Sequence, residues 1–287
     1  MQKRIQAQQH KNFLRTATLL AAMLGLTLLV GYTFMGWEGI LWAGLLGGIS
    51  IVLSYNVPTS MIMRFYRAQP VPAYQLTDLQ HIIQQFSQNS GLPRTPKLYY
   101  IASHQVNAFA TGSKNDPAIA VTYGLLRNLN LKEISGVIAH ELSHIINNDI
   151  RLQQGALLMN RITRVFSLVG QLLLIFNLSS IMTGEAFFPW WALLILIAAP
   201  YLANLLQMAL SRTREFDADL LAAKLTGDPN ALADALQRLH RMNQQRMNNL
   251  QKRLPVWMST HPHIEDRIQR LRDLAPKFTI RIPPMWI

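Results

Sequence analysis

Two stretches of this 287-residue chain are almost without charge, and they restrict its folding more than any other feature. Residues 16–63 carry one charged side chain, Glu38, and residues 165–211 carry one, Glu185, out of 27 Lys and Arg and 15 Asp and Glu in the whole chain. The rest of the sequence is close to the charge content of an ordinary soluble protein. Each block is too long for one membrane span of about 20 residues and suits two. In the first, Gly36-Trp37-Glu38-Gly39 divides apolar runs at about 17–35 and 40–57. In the second, Thr183-Gly184-Glu185 and Pro189-Trp190-Trp191 divide runs at about 165–182 and 191–210. The expectation is two helical hairpins, four spans in all. For the second block a buried core hairpin of a soluble domain is the alternative. Trp37, Trp42, Trp190 and Trp191 fall near the expected span ends, where indole rings favour the headgroup region.

Lys and Arg near the span ends set the expected orientation. Lys3, Arg4, Lys11 and Arg15 precede the first span, Arg64 and Arg67 follow the second, Arg161 and Arg164 precede the third, and Arg212 and Arg214 follow the fourth. Both hairpin tips lack Lys and Arg. Both termini and the polar segments should then be cytoplasmic, and the first run reads as an uncleaved anchor. The net charge of +12 is therefore mainly a topology signal, and no aromatic-interleaved basic face argues for nucleic acid. With no cysteine there is no disulfide framework and no thiolate chemistry. The expected organisation is a hairpin segment 1–63, a soluble segment 64–164, a second hairpin 165–211 and a soluble segment 212–287.

Within the first soluble segment, residues 78–90 have helical spacing. Short strands are expected at 97–101 and 118–122, separated by a loop containing Asn107-Ala108-Phe109-Ala110-Thr111-Gly112. Asn130-Leu131-Lys132-Glu133 has capping-box spacing and opens a helix with an apolar stripe of Leu131, Ile134, Ile138, Leu142 and Ile145. After the second block the pattern is helical at 211–225, 229–250 and 262–274.

The chemistry lies on the capped helix, in His140-Glu141-Leu142-Ser143-His144. Histidines four residues apart project from one helical face, so their imidazoles can converge on a tetrahedral ion. Glu141 then stands where a zinc peptidase needs its general base. The alternative is a buried structural histidine pair. A catalytic zinc needs a third protein ligand, and Glu215 is the candidate, with Asp219 one turn on accepting a hydrogen bond from the far nitrogen of a ligand histidine. Here the alternative is an exposed helix start with ordinary i, i+4 charges. His261, and less directly Arg267, are candidates to support the oxyanion; His261-Pro262 reads equally as a helix start. Strand residues Ala118, Ile119, Ala120, Val121 and Thr122 form either an edge on which an extended substrate pairs or a plain core strand.

These motifs, HELSHIINND at 140–149, EFDAD at 215–219, NAFATG at 107–112 and Thr260-His261-Pro262 with Arg267, together resemble the HtpX family of membrane-bound zinc metalloproteases, distant relatives of the CAAX prenyl endopeptidases. The resemblance implies a mainly α (α+β) integral membrane protein with a cytoplasmic zincin-like domain containing a small β-sheet. It also implies one zinc ion held by His140, His144 and Glu215, with Glu141 as base. The implied activity is hydrolysis of protein or peptide substrates in membrane-protein quality control at a bacterial inner membrane. Alternatives are an inactive client-binding scaffold and a prenyl-protein-type endopeptidase; the latter has more spans than the four expected here.

Overall fold

The computed structural model describes residues 2–55, 58–176, 190–246 and 264–275. It is mainly helical with one small mixed sheet, and its chain divides into two compact units: residues 1–56 with 151–213, and residues 57–150 with 214–287.

The first unit is built from α1 (Gln2–Tyr55), most of α6 (Asp149–Phe176) and the first part of α7 (Trp190–Thr226). Helix α1 is two arms joined at Met35 and Gly36, where Gly36 takes a φ of 59° that only glycine adopts freely. The chain folds back there: Val30 and Ala43 share one buried cluster, although a straight helix would hold them about 20 Å apart. A Cβ on Gly31 would stand 2.6 Å from the Gly39 carbonyl oxygen, so the arms approach as closely as they do because both positions are glycine. The expected break at residues 36–39 is thus observed. The tip of the second block, 183–189, and the last six residues of its first run, 177–182, lie outside the described residues.

Apolar side chains cover the outside of this unit as well as its interior; Leu41, Trp42, Leu172, Leu194, Ile197 and Leu205 are all exposed. A helix apolar all round needs a surrounding apolar phase. Segments Asn12–Ile49 and Trp191–Thr226 are long and apolar enough to cross a membrane, each containing an 18-residue stretch with a mean hydropathy of 1.9.

Several buried polar groups in this unit find partners within it, as a lipid environment favours. Pro200 lies inside α7. Lacking an N–H, it leaves the carbonyl of Leu196, four residues back, without its helical donor. Two side chains of α6 fill the gap: Ser167 Oγ donates to that oxygen, and Gln171 Nε2 donates to it at 2.8 Å. Further along the same face, Thr163 pairs with Thr27 at 2.8 Å, and Asn160 Nδ2 donates to Asn204 at 2.9 Å.

The second unit begins with α2 (Thr59–Phe65). It holds strands β1 (Gln69–Pro70), β2 (Lys97–Ile101), β3 (Ala108–Ser113) and β4 (Asp116–Thr122), in the order β1-β2-β4-β3. The β2/β4 pair is parallel and the other two are antiparallel. On β4, Ile119 and Val121 point into the main core while Ala118 and Ala120 face Met63 of α2, so this strand is buried on both faces. Helices α3 (Thr77–Asn89), α4 (Tyr123–Asn128), α5 (Leu131–Ile146), α8 (Pro229–Arg246) and α9 (Ile264–Leu274) complete the unit. Leu79, Ile83, Ile138, Leu142, Leu232 and Leu271 bring α3, α5, α8 and α9 into one core. Helices α5 and α8 meet at Gly136, where a Cβ would lie 2.7 Å from the Leu232 nitrogen.

Two sequence expectations are corrected here. Residues 118–122 are not a sheet edge: β4 pairs with β2 on one side and β3 on the other. Residues 108–113, expected as loop, form the edge strand β3, because the tight turn at Lys114-Asn115 folds them back onto β4. Strand β1 was not anticipated; a two-residue strand ending in Pro leaves no periodic signal.

Candidate active site

Helix α5 opens with the expected capping box: Asn130 Oδ1 accepts from the Glu133 N–H at 2.9 Å, and Glu133 Oε2 accepts from the Asn130 N–H at 2.9 Å. Of its expected apolar stripe, Ile134, Ile138, Leu142 and Ile145 are buried and fix the helix against the core, while Leu131 is exposed. His140 and His144 then project together from one face, and both are buried. The chain leaves α5 through Asn148, which takes a left-handed φ of 57°, a conformation that Asn tolerates better than most residues. That turn starts α6 at Asp149 and returns its carboxylate to the histidines.

Each imidazole is held through Nδ1. His144 Nδ1 lies 3.0 Å from Asp149 Oδ2, and His140 Nδ1 lies 3.0 Å from Asp219 Oδ1 of α7. A carboxylate accepts only, so each Nδ1 carries a proton, which leaves each Nε2 as the atom available to a metal. The two Nε2 atoms face each other at 3.2 Å. Glu215 completes the group, with Oε2 3.4 Å from His140 Nε2 and Oε1 3.9 Å from His144 Nε2. One donor atom from each of the three residues lies within 4.8 Å of the others. Ligand atoms about 2.0–2.1 Å from a tetrahedral zinc are about 3.3 Å apart, so this donor set fits such an ion.

The charges fit as well. Asp149, Glu215, Asp217 and Asp219 surround the histidines, and two guanidinium groups oppose them. Arg214 Nη1 reaches Asp149 Oδ1 at 3.4 Å and its other terminal nitrogen pairs with Asp217. From α9, Arg267 Nη1 lies 2.7 Å from Glu215 Oε2, Nη2 lies 2.7 Å from Asp219 Oδ1, and Nε donates to Asp219 Oδ2 at 2.8 Å. Nη2 also lies 3.3 Å from His140 Nε2. With Glu141 beside the histidines, five carboxylates face two guanidinium groups, and this excess of acidic groups in a largely buried cluster favours a cation.

The electrostatics of the metal-free residues carry the same information. Burial, the largest influence on His140, and the nearby Arg267 both push its pKa down. Hydrogen bonds to Asp219 and Glu215 and the Asp219 charge outweigh them, and the His140 pKa is raised to about 10. The cluster demands a cation at that ring. For Arg267, burial opposes the charge, while Asp219 and Glu215 raise its pKa above the ordinary arginine value.

Glu141, half-buried beside the histidines, accepts a hydrogen bond from the Ala110 N–H at 2.9 Å through Oε2. That N–H is free to do so because of the β3 register. Gly112 pairs with Pro117, which has no N–H, and the Asn107 carbonyl accepts from the Thr122 N–H at 3.1 Å. Alternation along the antiparallel pair then directs the backbone groups of Ala108, Ala110 and Gly112 away from β4.

Among the residues singled out from sequence, His140, Glu141, His144, Glu215, Asp219 and Arg267 come together. Arg267 is buried and engaged by two carboxylates, so its donors are directed at Glu215 and Asp219. His261 lies outside the described residues. Sequence reasoning passed over Asp149, Arg214 and the Ala110 N–H. Asp149 stood inside the HELSHIINND string, and the Asn147-Asn148 pair before it was the available signal for a chain reversal.

Residues 73–275 match peptidase family M48. Over 93% of its length the chain is 34% identical to a protease HtpX homolog of Thermococcus sibiricus, covering 98% of that protein. Over 94% it is 37% identical to a protease HtpX homolog of Acaryochloris marina, covering 97%. Among solved structures it is similar to Ste24p of S. mikatae, with a TM-score of 0.54 and 22% identity, over 92% of this chain and 66% of that one, a likeness of fold. The chain belongs to peptidase family M48 and is a membrane metalloprotease of the HtpX kind.

Proposed function

We propose that the chain is a zinc-dependent endopeptidase that cuts membrane or misfolded proteins at the cytoplasmic face of a bacterial inner membrane. In this reading the two near-chargeless blocks are two hairpins with four spans. The Lys and Arg flanking them keep the catalytic segments 64–164 and 212–287 on the cytoplasmic side. The observation that carries the reading is the pair of Nε2 atoms 3.2 Å apart beside Glu215, each ring fixed by a carboxylate at Nδ1.

His140, His144 and Glu215 would hold the zinc, and when bound it supplies Lewis acidity toward the scissile carbonyl and a water molecule. The chain's own residues do the remaining work. Glu141 has Oε2 engaged by the Ala110 N–H, which leaves Oε1 to take the proton of the attacking water and return it to the leaving amine. Asp149 and Asp219 keep the Nδ1 protons in place, so neither ring can turn or change tautomer. Arg267 is a positioning residue that holds Glu215 and Asp219 in register with His140. The outward backbone groups of β3 other than the Ala110 N–H offer an extended peptide a strand to pair with, next to Glu141.

The test is Glu141→Gln. The variant is expected to bind zinc stoichiometrically and to lose cleavage of unfolded casein; cleavage equal to that of the unaltered protein would overturn the assignment of the base.

A further inference from the structure

Helix α2 is fixed on one side and apolar on the other. Thr59 and Met63 are buried; Thr59 Oγ1 donates to the Asp116 carbonyl at 2.9 Å and Met63 packs beneath Ala118 and Ala120 of β4. The opposite side turns outward Met61, Phe65 and Tyr66, which are 65%, 83% and 51% exposed. The turn that ends the helix is closed by a hydrogen bond from the Ala68 N–H to the Met63 carbonyl at 2.9 Å, with Arg67 at a left-handed φ of 52°. Large apolar groups grouped on an exposed face mark an interaction surface.

Two further observations identify what it meets. Arg64 and Arg67 flank the apolar groups, are exposed, and form no ion pair among the described residues. In addition, α2 begins four residues after Tyr55, where the second apolar arm of α1 ends. Aromatic rings mixed with unpaired arginines just beyond an apolar, membrane-length arm match the headgroup layer of an anionic leaflet.

We propose that α2 with Tyr66 and Arg67 is a lipid-docking surface: Met61 and Phe65 enter the interface while Arg64 and Arg67 meet lipid phosphates. The surface connects directly to the site. Phe65 stands edge-on to Tyr66 at 5.4 Å between ring centroids, and Tyr66 packs on Phe109 of β3 at 4.8 Å. Phe109 immediately precedes Ala110, whose N–H holds Glu141. Docking α2 therefore sets the edge strand at the bilayer surface, and the substrates it favours are polypeptide segments lying at or just outside the membrane. This substrate class rests on the endopeptidase reading above; the lipid surface itself does not.

The chain has no cysteine, so Met61→Cys and Phe65→Cys, each in full-length Glu141→Gln protein, carry one NBD label apiece in phosphatidylcholine vesicles with phosphatidylglycerol. Asp234→Cys, exposed on α8, serves as the reference. The labels at 61 and 65 are expected to be quenched by headgroup-region nitroxide lipids and shielded from iodide, and the label at 234 the reverse. Iodide quenching of 61 and 65 equal to that of 234 would overturn the proposal. In otherwise unaltered protein, Arg64→Gln with Arg67→Asn, the latter compatible with the left-handed φ, is expected to lower the ratio of cleavage of a lipid-anchored peptide to that of the same peptide free in solution by about fivefold. Equal loss on both peptides would assign the surface to peptide binding and overturn it. If the unaltered protein cuts neither peptide, the endopeptidase reading fails while quenching still decides the lipid surface.

Discussion

Nδ1 of His144 lies 3.0 Å from Oδ2 of Asp149, a carboxylate delivered by the first residue of the next helix. The pairing has a counterpart across the site, where Asp219 holds His140. Each carboxylate is in turn held by an arginine, Arg214 behind Asp149 and Arg267 behind Asp219. Both histidines are thus fixed from behind by an ion-paired acid, and the metal-facing nitrogens need no rearrangement to receive a cation.

Asp149→Asn tests this support. The amide is the same size, and its oxygen still accepts from Nδ1, but the charge that orients the ring is lost. Zinc affinity, measured by competition with a chromophoric chelator, is expected to fall by about 10–100-fold. Affinity unchanged by the substitution would mean that Asp149 does not hold the ring.

Arg267→Met leaves Glu215 and Asp219 buried without their guanidinium partner. Removing one member of a buried ion pair costs about 3–5 kcal/mol, and the loss is expected to be larger in zinc-free protein, where no second cation compensates. Arg267→Lys is expected to recover only part, because one ammonium cannot present the separate N–H groups that reach both carboxylates. Thermal unfolding in detergent followed by circular dichroism measures all three proteins. Zinc-free Arg267→Met as stable as its parent would refute the argument.

The raised pKa of His140 gives a pH dependence with a definite sign. The folded metal-free protein keeps a proton up to about pH 10 that an unfolded chain releases near 6.5. The stabilisation is complete below pH 6.5 and is lost as pH rises through that window. The melting temperature of metal-free protein is therefore expected to fall from pH 6.5 toward 10, and His140→Gln to flatten the slope. Zinc replaces the proton, so the stabilisation that added zinc provides should grow over the same range. A metal-free melting temperature independent of pH there would contradict the geometry around His140.

How much of this was legible in sequence follows the range of the interactions. The capping box at Asn130, the His140/His144 pair and the Glu215/Asp219 pair are set by helical spacing, and each was readable from a few residues. The break at Gly36 was readable because one polar, glycine-rich gap interrupts a chargeless run. Strand β3 was missed because Ala-Phe-Ala-Thr-Gly lacks the β-branched alternation of an independent strand and becomes one by pairing with β4. Sequence left residues 118–122 open between a sheet edge and a core strand, and the core strand is what forms, because the parallel pairing of β2 with β4 passes over β3, an order no local pattern encodes. Arg267 was noticed, but its engagement by Asp219, 48 residues earlier, depends on the packing of α9.

Proline 200 offers a test of the membrane-type unit that is independent of the active site. Because Pro200 lacks an N–H, the Leu196 carbonyl depends on Gln171 and Ser167, and Gln171→Leu should remove a hydrogen bond with no water to replace it. The expected cost is about 1 kcal/mol. In a Pro200→Ala background the residue at 200 regains its N–H, the helical bond to Leu196 re-forms, and the same Gln171→Leu change should cost much less. A double-mutant cycle on unfolding in detergent isolates the coupling. Equal cost in both backgrounds would mean that Gln171 stabilises the helix pair by packing alone, and that the carbonyl freed by Pro200 is not what it serves.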